Sequence, residues 1–137
     1  MQNYFAMSMD KRQIDAVSAL GLAHLGDGVF EVLIRTWLCG HGKTAVKNLH
    51  RETISFVSAP AQSRFVERLL PLLSPEELAL YRRGRNTHLH AIPKSASPRE
   101  YARATGLECL FGALYLAGNT ERINELFVIV MEELYGV

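Results

Sequence analysis

The chain has 137 residues, of which 48% are hydrophobic and 21% charged, and its formal net charge is +1 at pH 7. This length supports one hydrophobic core and is short for two, so we expect a single domain over residues 1–137. No apolar run is long enough to span a membrane, the first ten residues lack the features of a secretory signal, and two cysteines are too few for a disulfide scaffold. These features favour a soluble, cytoplasmic protein without a membrane partner.

Apolar residues recur at helical spacing along the chain, and no run shows the two-residue alternation of a strand, which predicts an all-α fold. Residues 14–20 and 22–37 predict the first helical region. Gly21 is the candidate break between its two pieces, and Gly40 and Gly42 are expected to end the second piece.

The next helices are marked by residues that favour helix ends. Residues 48–57 predict one helix, and Ser58 followed by Pro60 predicts the start of another, which Pro71 ends. Ser74 and Ser97 each begin a capping box with proline at the first helical position.

Residues 86–96 carry no apolar periodicity, which predicts an exposed, mobile loop that orders on a ligand. The helix that opens at Ser97 is expected to end near Gly118. Thr120 is expected to start the last helix.

Asp27 is unusual because it lies in the apolar run 22–34, between Gly26 and Gly28. Glycine inside a helix costs about 1 kcal/mol relative to alanine, and a buried charge is costly unless it is paired or bound to a metal. We therefore expect something to approach Asp27 closely. Glu108 has a similar setting among apolar residues and glycines in a later predicted helix.

Asp27 and Glu108 are expected to turn inward from two facing helices. Such a pair suits Mg²⁺, which takes oxygen ligands and uses only one or two protein carboxylates. The alternative is that each acid is a surface residue of an amphipathic helix. Glu31 lies one turn after Asp27, where it either pairs with Arg35 or orients Asp27 or a metal-bound water.

The basic residues are unevenly distributed. Residues 82–103 contain six basic side chains and one acidic side chain, a net charge of +5 that leaves −4 for the rest of the chain. This distribution predicts a basic face that binds a polyanion, whereas a solvated arginine-rich loop is the alternative. The candidate contacts are Lys43, Lys47, Arg51, Arg82, Arg83, Arg85, Lys94, Arg99 and Arg103.

Several collinear motifs carry a resemblance to a known family. The segment Leu25-Gly26-Asp27-Gly28 resembles the signature helix of the ribonuclease III family, which ends in Leu-Gly-Asp-Ala. Residues 107–116 resemble its later metal-binding helix, which reads Phe-Glu-Ala-Leu-Ile-Gly-Ala-Leu-Tyr-Leu. A further resemblance, to the short branch called Mini-ribonuclease III, lies in residues 49–51, 57–62, 82–86, 93–94 and Tyr101. The resemblance extends from about residue 18 to residue 134.

This resemblance implies a ribonuclease III endonuclease-domain helical bundle that forms a homodimer. It implies that Asp27 and Glu108 bind Mg²⁺, with Mn²⁺ as a substitute, and catalyse hydrolysis of phosphodiester bonds in double-stranded RNA. The implied substrate in bacteria is large-subunit (23S) ribosomal RNA precursor. The long branch has two further acids where this chain has Ala23 and Thr105. Thr105 stands where the long branch has an acid, and Glu31 lies one turn after Asp27. Both are therefore secondary candidates for supporting the metal site.

Ribonuclease III enzymes usually carry a second, double-stranded-RNA-binding domain, for which we expect no room after Leu134. RNA contacts would then come from the catalytic domain, through the basic residues and through Asn86, which would reach a sugar or a base edge. A non-catalytic RNA-binding or ribosome-associated scaffold with the same fold is the alternative function, and the two absent acids favour it. A helical protein-interaction module is a third class, which the basic residues of 82–103 disfavour.

Overall fold

In the computed structural model, the described parts of the chain are residues 1–43, 45–87 and 96–136, without the side chain of Val46. These residues form seven α-helices and a 3₁₀ turn and contain no strand, which confirms the predicted all-α class. The helices are α1 (Lys11–Asp15), α2 (Ala19–Gly40), α3 (Val46–Val57), α4 (Ala59–Leu69), α5 (Pro75–Arg85), α6 (Pro98–Leu116) and α7 (Thr120–Tyr135), and the turn is Leu70–Leu72. None of the helices in these ranges has both the length and the apolar character needed to cross a membrane.

The predicted capping boxes are confirmed and explain where two helices begin. At the start of α5 the Ser74 hydroxyl accepts a bond of 3.2 Å from the Glu77 amide, and the Glu77 carboxylate accepts one of 2.9 Å from the Ser74 amide. Ser97 and Glu100 make the same exchange at the start of α6. Ser58 caps α4 by accepting from the Ala61 amide at 3.4 Å. Each exchange satisfies amide groups that a helix N-terminus leaves without partners.

The predicted break at Gly21 is wrong. The chain leaves α1 at Asp15, and α2 starts at Ala19, so Gly21 lies in the first turn of α2. Ser18 is the residue that starts this helix, because its hydroxyl accepts a bond of 2.9 Å from the Gly21 amide. The predicted end of α2 at Gly40 is confirmed, and Gly42 adopts a φ of +70° just after it.

Helix α6 runs through the centre of the protein and packs against α2, α4, α5 and α7. Four phenylalanines from four of these helices form the middle of the core. Phe30 lies 5.2 Å from Phe65, 6.1 Å from Phe111 and 6.3 Å from Phe127 between ring centroids. Every residue of α6 from 104 to 114 is buried except Glu108, which keeps part of its surface accessible. The core therefore fixes which face of α6 carries this acid.

Two glycines allow α2 and α6 to cross with their backbones in contact. A Cβ atom added to Gly26 would lie 1.6 Å from the Glu108 carbonyl oxygen, and one added to Gly112 would lie 2.0 Å from the Leu22 carbonyl oxygen. A side chain of any size at either position would push the helices apart. This crossing brings the segment around Asp27 against the segment around Glu108.

Candidate active site

Asp27 and Glu108 line one cavity of about 300 Å³. Gln62 from α4 and Thr105 and Tyr101 from α6 also line it. The two acids meet there because Asp27 directly follows Gly26, which has no room for a side chain against the main chain of Glu108. The prediction that something approaches closely beside Asp27 is thus confirmed for Gly26. No such approach occurs at Gly28, because a Cβ atom there would have no neighbour within 4 Å.

The two acids differ in their surroundings. Glu108 lies mostly inside the protein, whereas Asp27 is exposed, so the prediction that both acids turn inward is correct only for Glu108. Burial, the negative charge of Asp27 and a hydrogen bond with Asp27 together raise the pKa of Glu108 to about 8, while a hydrogen bond from Gln62 acts in the opposite direction. The cavity therefore disfavours two carboxylates that are both ionised without a cation between them.

The donor set of the cavity fits a hard divalent cation. It offers carboxylate oxygens from two helices, and a cation between them would remove the repulsion that raises the pKa of Glu108. Across residues 1–43, 45–87 and 96–136, no group of three or more acidic, histidine or cysteine side chains is arranged to hold a metal ion. Two protein carboxylates match Mg²⁺, which keeps several waters and also binds substrate phosphates.

The two secondary candidates for supporting the metal site, Thr105 and Glu31, lie in different places. Thr105 lines the cavity, and its hydroxyl donates a bond of 3.0 Å to the Tyr101 carbonyl oxygen. Glu31 does not line the cavity, and its carboxylate lies 3.1 Å from the Arg35 guanidinium on the protein surface. Ala23 is buried in a small apolar cluster. The structure therefore brings Thr105 to the two acids and leaves Glu31 in a surface ion pair.

Gln62 is a cavity residue that the sequence analysis did not identify. Its side-chain nitrogen donates to the Val57 carbonyl oxygen at 3.0 Å and to the Glu108 carboxylate at 3.4 Å. The available signal was indirect, since Gln62 ends the run 57–62 that resembles the short branch. Apolar periodicity gave no reason to expect a buried amide at this position.

Most of the predicted polyanion contacts are exposed, but two arginines are partly buried in protein contacts. Arg103 lies 3.3 Å from the Glu67 carboxylate and donates to the Ser63 hydroxyl at 3.2 Å. Arg83 donates to the Val17 carbonyl oxygen, and its other terminal nitrogen is buried. Lys94 lies outside the described residues. The exposed candidates are Lys43, Lys47, Arg51, Arg82, Arg85, Asn86 and Arg99.

A separate polar groove of about 450 Å³ is lined by residues of the same two helices, α4 and α6. Three arginines, Arg64, Arg99 and Arg103, line it together with two acids, Glu67 and Glu100. The sequence analysis did not identify Arg64 as a candidate contact. It lies two residues after Gln62 on a helix with mixed charges, and nothing in the sequence shows which way its side chain faces. Burial raises the pKa of the Tyr81 hydroxyl, and the positive charges of Arg103, Arg85 and Arg99 act against this rise, so all three guanidinium groups lie near enough to Tyr81 to act on it.

Comparison with known proteins shows a consistent set of relatives. The family model described as "Ribonuclease III domain" matches residues 20–119. A Mini-ribonuclease 3 from Clostridium tetani is 39% identical over 133 residues, covering 96% of this chain and 88% of that protein. A Mini-ribonuclease 3 from Symbiobacterium thermophilum is 46% identical over 107 residues, covering 78% of this chain and 82% of that protein. A crystal structure of a protein from Fusobacterium nucleatum superposes with a TM-score of 0.79 at 30% identity, covering 88% of this chain and 93% of that one.

Proposed function

The chain belongs to the ribonuclease III family, and we propose that it is a divalent-metal-dependent endoribonuclease that hydrolyses phosphodiester bonds in double-stranded regions of RNA. The observation that carries this proposal is the cavity that Asp27 and Glu108 share at the crossing of α2 and α6. We assign both acids as catalytic, metal-binding residues, with Mg²⁺ as the ion and Mn²⁺ as a substitute. Thr105 supports them from the wall of the cavity.

Asp27 and Glu108 would hold the ion, and Gln62 would lie against the inner acid. When bound, a divalent ion lowers the pKa of water for attack on phosphorus and offsets the charge that develops on the phosphate. Glu108 must lose its proton to take part, and its pKa of about 8 makes ion binding stronger as the pH rises toward that value. Asp27 is exposed at the opening of the cavity, where a phosphate of the RNA approaches.

The exposed cations supply the contacts with RNA in this proposal. Double-stranded RNA is recognised mainly through phosphates, 2′-hydroxyls and shape, which suits flexible basic side chains rather than a rigid base-reading surface. The groove on α4 and α6 would offer phosphates the guanidinium groups of Arg64 and Arg99, whereas Arg103 in that groove is paired with Glu67. Arg83 is assigned a structural contact with the α1–α2 connection instead.

We further propose that the protein acts as a homodimer in the cytoplasm and matures large-subunit (23S) ribosomal RNA precursor. Exposed apolar side chains on α2 and α3 support this proposal, because an interface between two copies would remove apolar surface from water. Val32 is 64% exposed, Leu20 48% and Ile54 47%.

The test is cleavage of long duplex RNA by the purified protein with Mg²⁺, with Mn²⁺ and with a chelator. We expect metal-dependent cleavage that Asp27→Asn and Glu108→Gln each reduce by at least about 100-fold, while binding of the duplex survives. Cleavage at unchanged rates in both variants would contradict the assignment of the acids. Duplex binding without cleavage under any metal condition would favour the non-catalytic RNA-binding or ribosome-associated scaffold instead. Cleavage of precursor and mature large-subunit RNA side by side tests the proposed substrate.

A further inference from the structure

Gln62 is an uncharged polar residue buried at the acid pair. Only 2% of its surface is exposed, and it lies on α4 close to Phe65 and Val66, which belong to the core. A buried amide costs free energy unless its polar atoms find partners, and an apolar residue of similar size avoids that cost. Packing alone therefore does not explain why a glutamine stands at this position.

The hydrogen bonds of Gln62 fix how its amide is oriented. The side-chain nitrogen has two partners, the Val57 carbonyl oxygen at 3.0 Å and the Glu108 carboxylate at 3.4 Å, and both accept. Because the Val57 carbonyl oxygen can only accept a hydrogen bond, the nitrogen and not the oxygen of the amide must face it. The amide oxygen is buried without a hydrogen-bond partner. The amide is thus oriented to donate to Glu108 even though its own oxygen remains unpaired.

The anchor of Gln62 is independent of α6. Val57 is the last residue of α3, and Ser58 ends α3 and caps α4 at the same corner. The main-chain amide of Gln62 donates to the Ser58 carbonyl oxygen at 2.9 Å, within the first turn of α4. The corner therefore holds Gln62 from two directions, and a donor fixed in this way sets the position of the acid that it contacts.

Glu108 depends on this donor because it has few alternatives. Among the residues that the structure describes, Gln62 is the side chain whose N–H donates to the Glu108 carboxylate. Ala23 and Thr105 stand at the other two positions where the long branch has acids, and the Thr105 hydroxyl donates to its own helix. The main chain of Glu108 is held against Gly26, but its side chain is held from α4.

We propose that Gln62 is a positioning residue that holds the Glu108 carboxylate in the orientation that binds the divalent ion. This inference rests on the proposed function. Gln62 does not itself bind the ion or the RNA in this account. Its effect on cleavage passes through the affinity of the acid pair for the metal, as partners of metal ligands generally act.

The experiment compares Gln62→Met with the wild type and with Ser74→Ala. Methionine has a similar length but no donor, so it removes the contact with Glu108 and leaves the side chain buried. Ser74→Ala removes the cap of α5, which is remote from the cavity, and serves as the control for a general loss of stability. The affinity for Mg²⁺ and for Mn²⁺ is measured by calorimetry on the RNA-free protein, and duplex cleavage is measured against metal concentration.

We expect Gln62→Met to weaken metal affinity by about 10- to 100-fold. Cleavage should recover at high metal concentration, and KM for duplex RNA should stay unchanged. Ser74→Ala should bind metal as the wild type does. Should Gln62→Met unfold, Gln62→Asn keeps an amide at the corner but is one methylene short of Glu108, and it should show the same loss of metal affinity.

A Gln62 variant that folds and binds metal with wild-type affinity overturns the inference while the wild type still cleaves RNA. A loss of affinity in Ser74→Ala equal to that in Gln62→Met overturns it as well, because the effect would then be one of stability. A wild-type protein that neither binds a divalent ion nor cleaves duplex RNA contradicts the proposed function itself, so the two failures are distinguishable.

Discussion

Helix α6 is crossed closely on two sides, and only one crossing creates a candidate active site. Gly26 and Gly112 let α2 approach the backbone of α6. On the other side, Gly84 of α5 has Cys109 and the Thr105 main chain within 2.7 Å of where its Cβ would lie, and Gly106 of α6 would meet Tyr81 at 2.6 Å. At both crossings, a glycine on each helix lets the two helices approach closely, so α6 packs tightly against both neighbours.

The difference lies in how an acid on each side is paired. At the α2 crossing, Glu108 faces Asp27, and burial together with that like charge raises its pKa to about 8. On the α5 side, Glu77 accepts bonds of 2.8 and 2.9 Å from Arg122 of α7, and this partner holds its pKa below the ordinary value. Close packing alone does not make a site. A site appears where the packed acid faces another acid and needs a cation from outside the chain.

The largest expected effect is that of Gly26→Ala. The added methyl group overlaps the Glu108 main chain, so we expect a loss of about 3 kcal/mol of unfolding free energy or more, and loss of cleavage. Gly84→Ala is the matched change at the other crossing, where the overlap is smaller. It should destabilise the fold but leave cleavage per folded molecule close to wild type. Urea unfolding and duplex cleavage measure both, and wild-type stability of Gly26→Ala would contradict the close crossing.

Glu108→Gln should stabilise the metal-free protein at alkaline pH. Because the pKa of Glu108 is raised from 4.5 to about 8, the folded state holds this proton more tightly than the unfolded chain does. The stabilising effect of the proton is complete below pH 4.5 and is lost as the pH rises toward 8. The glutamine variant does not titrate there, so we expect it to gain on the order of 2 kcal/mol over the wild type at pH 8. Thermal unfolding with a chelator at pH 5 and pH 8 measures this, and a difference that does not change with pH argues against a buried, protonated Glu108.

Glu77→Gln should have the opposite pH dependence. Its pKa is lowered chiefly by the hydrogen bonds from Arg122, so the pair stabilises the fold above the ordinary value of 4.5 and this contribution is lost as the pH falls through the lowered pKa. We expect a loss of about 1.5 kcal/mol near neutral pH, shrinking in acid, with cleavage per folded molecule unchanged. Urea unfolding of both proteins over a pH series provides the comparison. A loss that persists at the acid end would show that the charge of Glu77 is not its source.

The smallest expected effect is that of Gly28→Ala. A Cβ atom at Gly28 has no neighbour within 4 Å, so alanine removes backbone freedom from the unfolded chain without a clash and should stabilise the protein by about 0.5 kcal/mol. Thermal unfolding checks the gain. Together with Gly26→Ala it separates the two glycines beside Asp27, which look equivalent in the sequence, and a loss of stability would contradict the open space at Gly28.

Sequence patterns predicted the start of a helix well where the capping residue was recognised. Ser74 and Ser97 marked the first turns of α5 and α6 because their bonds join residues three positions apart. At the start of α2, the sequence analysis considered only Gly21, whereas the chain starts this helix with the cap at Ser18.

The candidate site was less predictable than the helices. The charge count of residues 82–103 predicted that Arg83 and Arg99 both contact a polyanion. In the structure, Arg83 donates to the Val17 carbonyl oxygen, whereas Arg99 is exposed. No local pattern indicates such an orientation, because it depends on which helices lie beside the arginine. Gln62 was missed for the same reason, since its partner Glu108 comes from another helix.

The sequence by itself determined the all-α class, most helix ends and the two acids that stand out in apolar helices, because periodicity and capping act between residues a few positions apart. Only the tertiary structure decided that Gly26 meets the backbone of Glu108, that the two acids share a cavity and that one is buried and the other exposed. These properties depend on contacts between distant segments, and the burial and charge that shift a pKa exist only once those segments have packed.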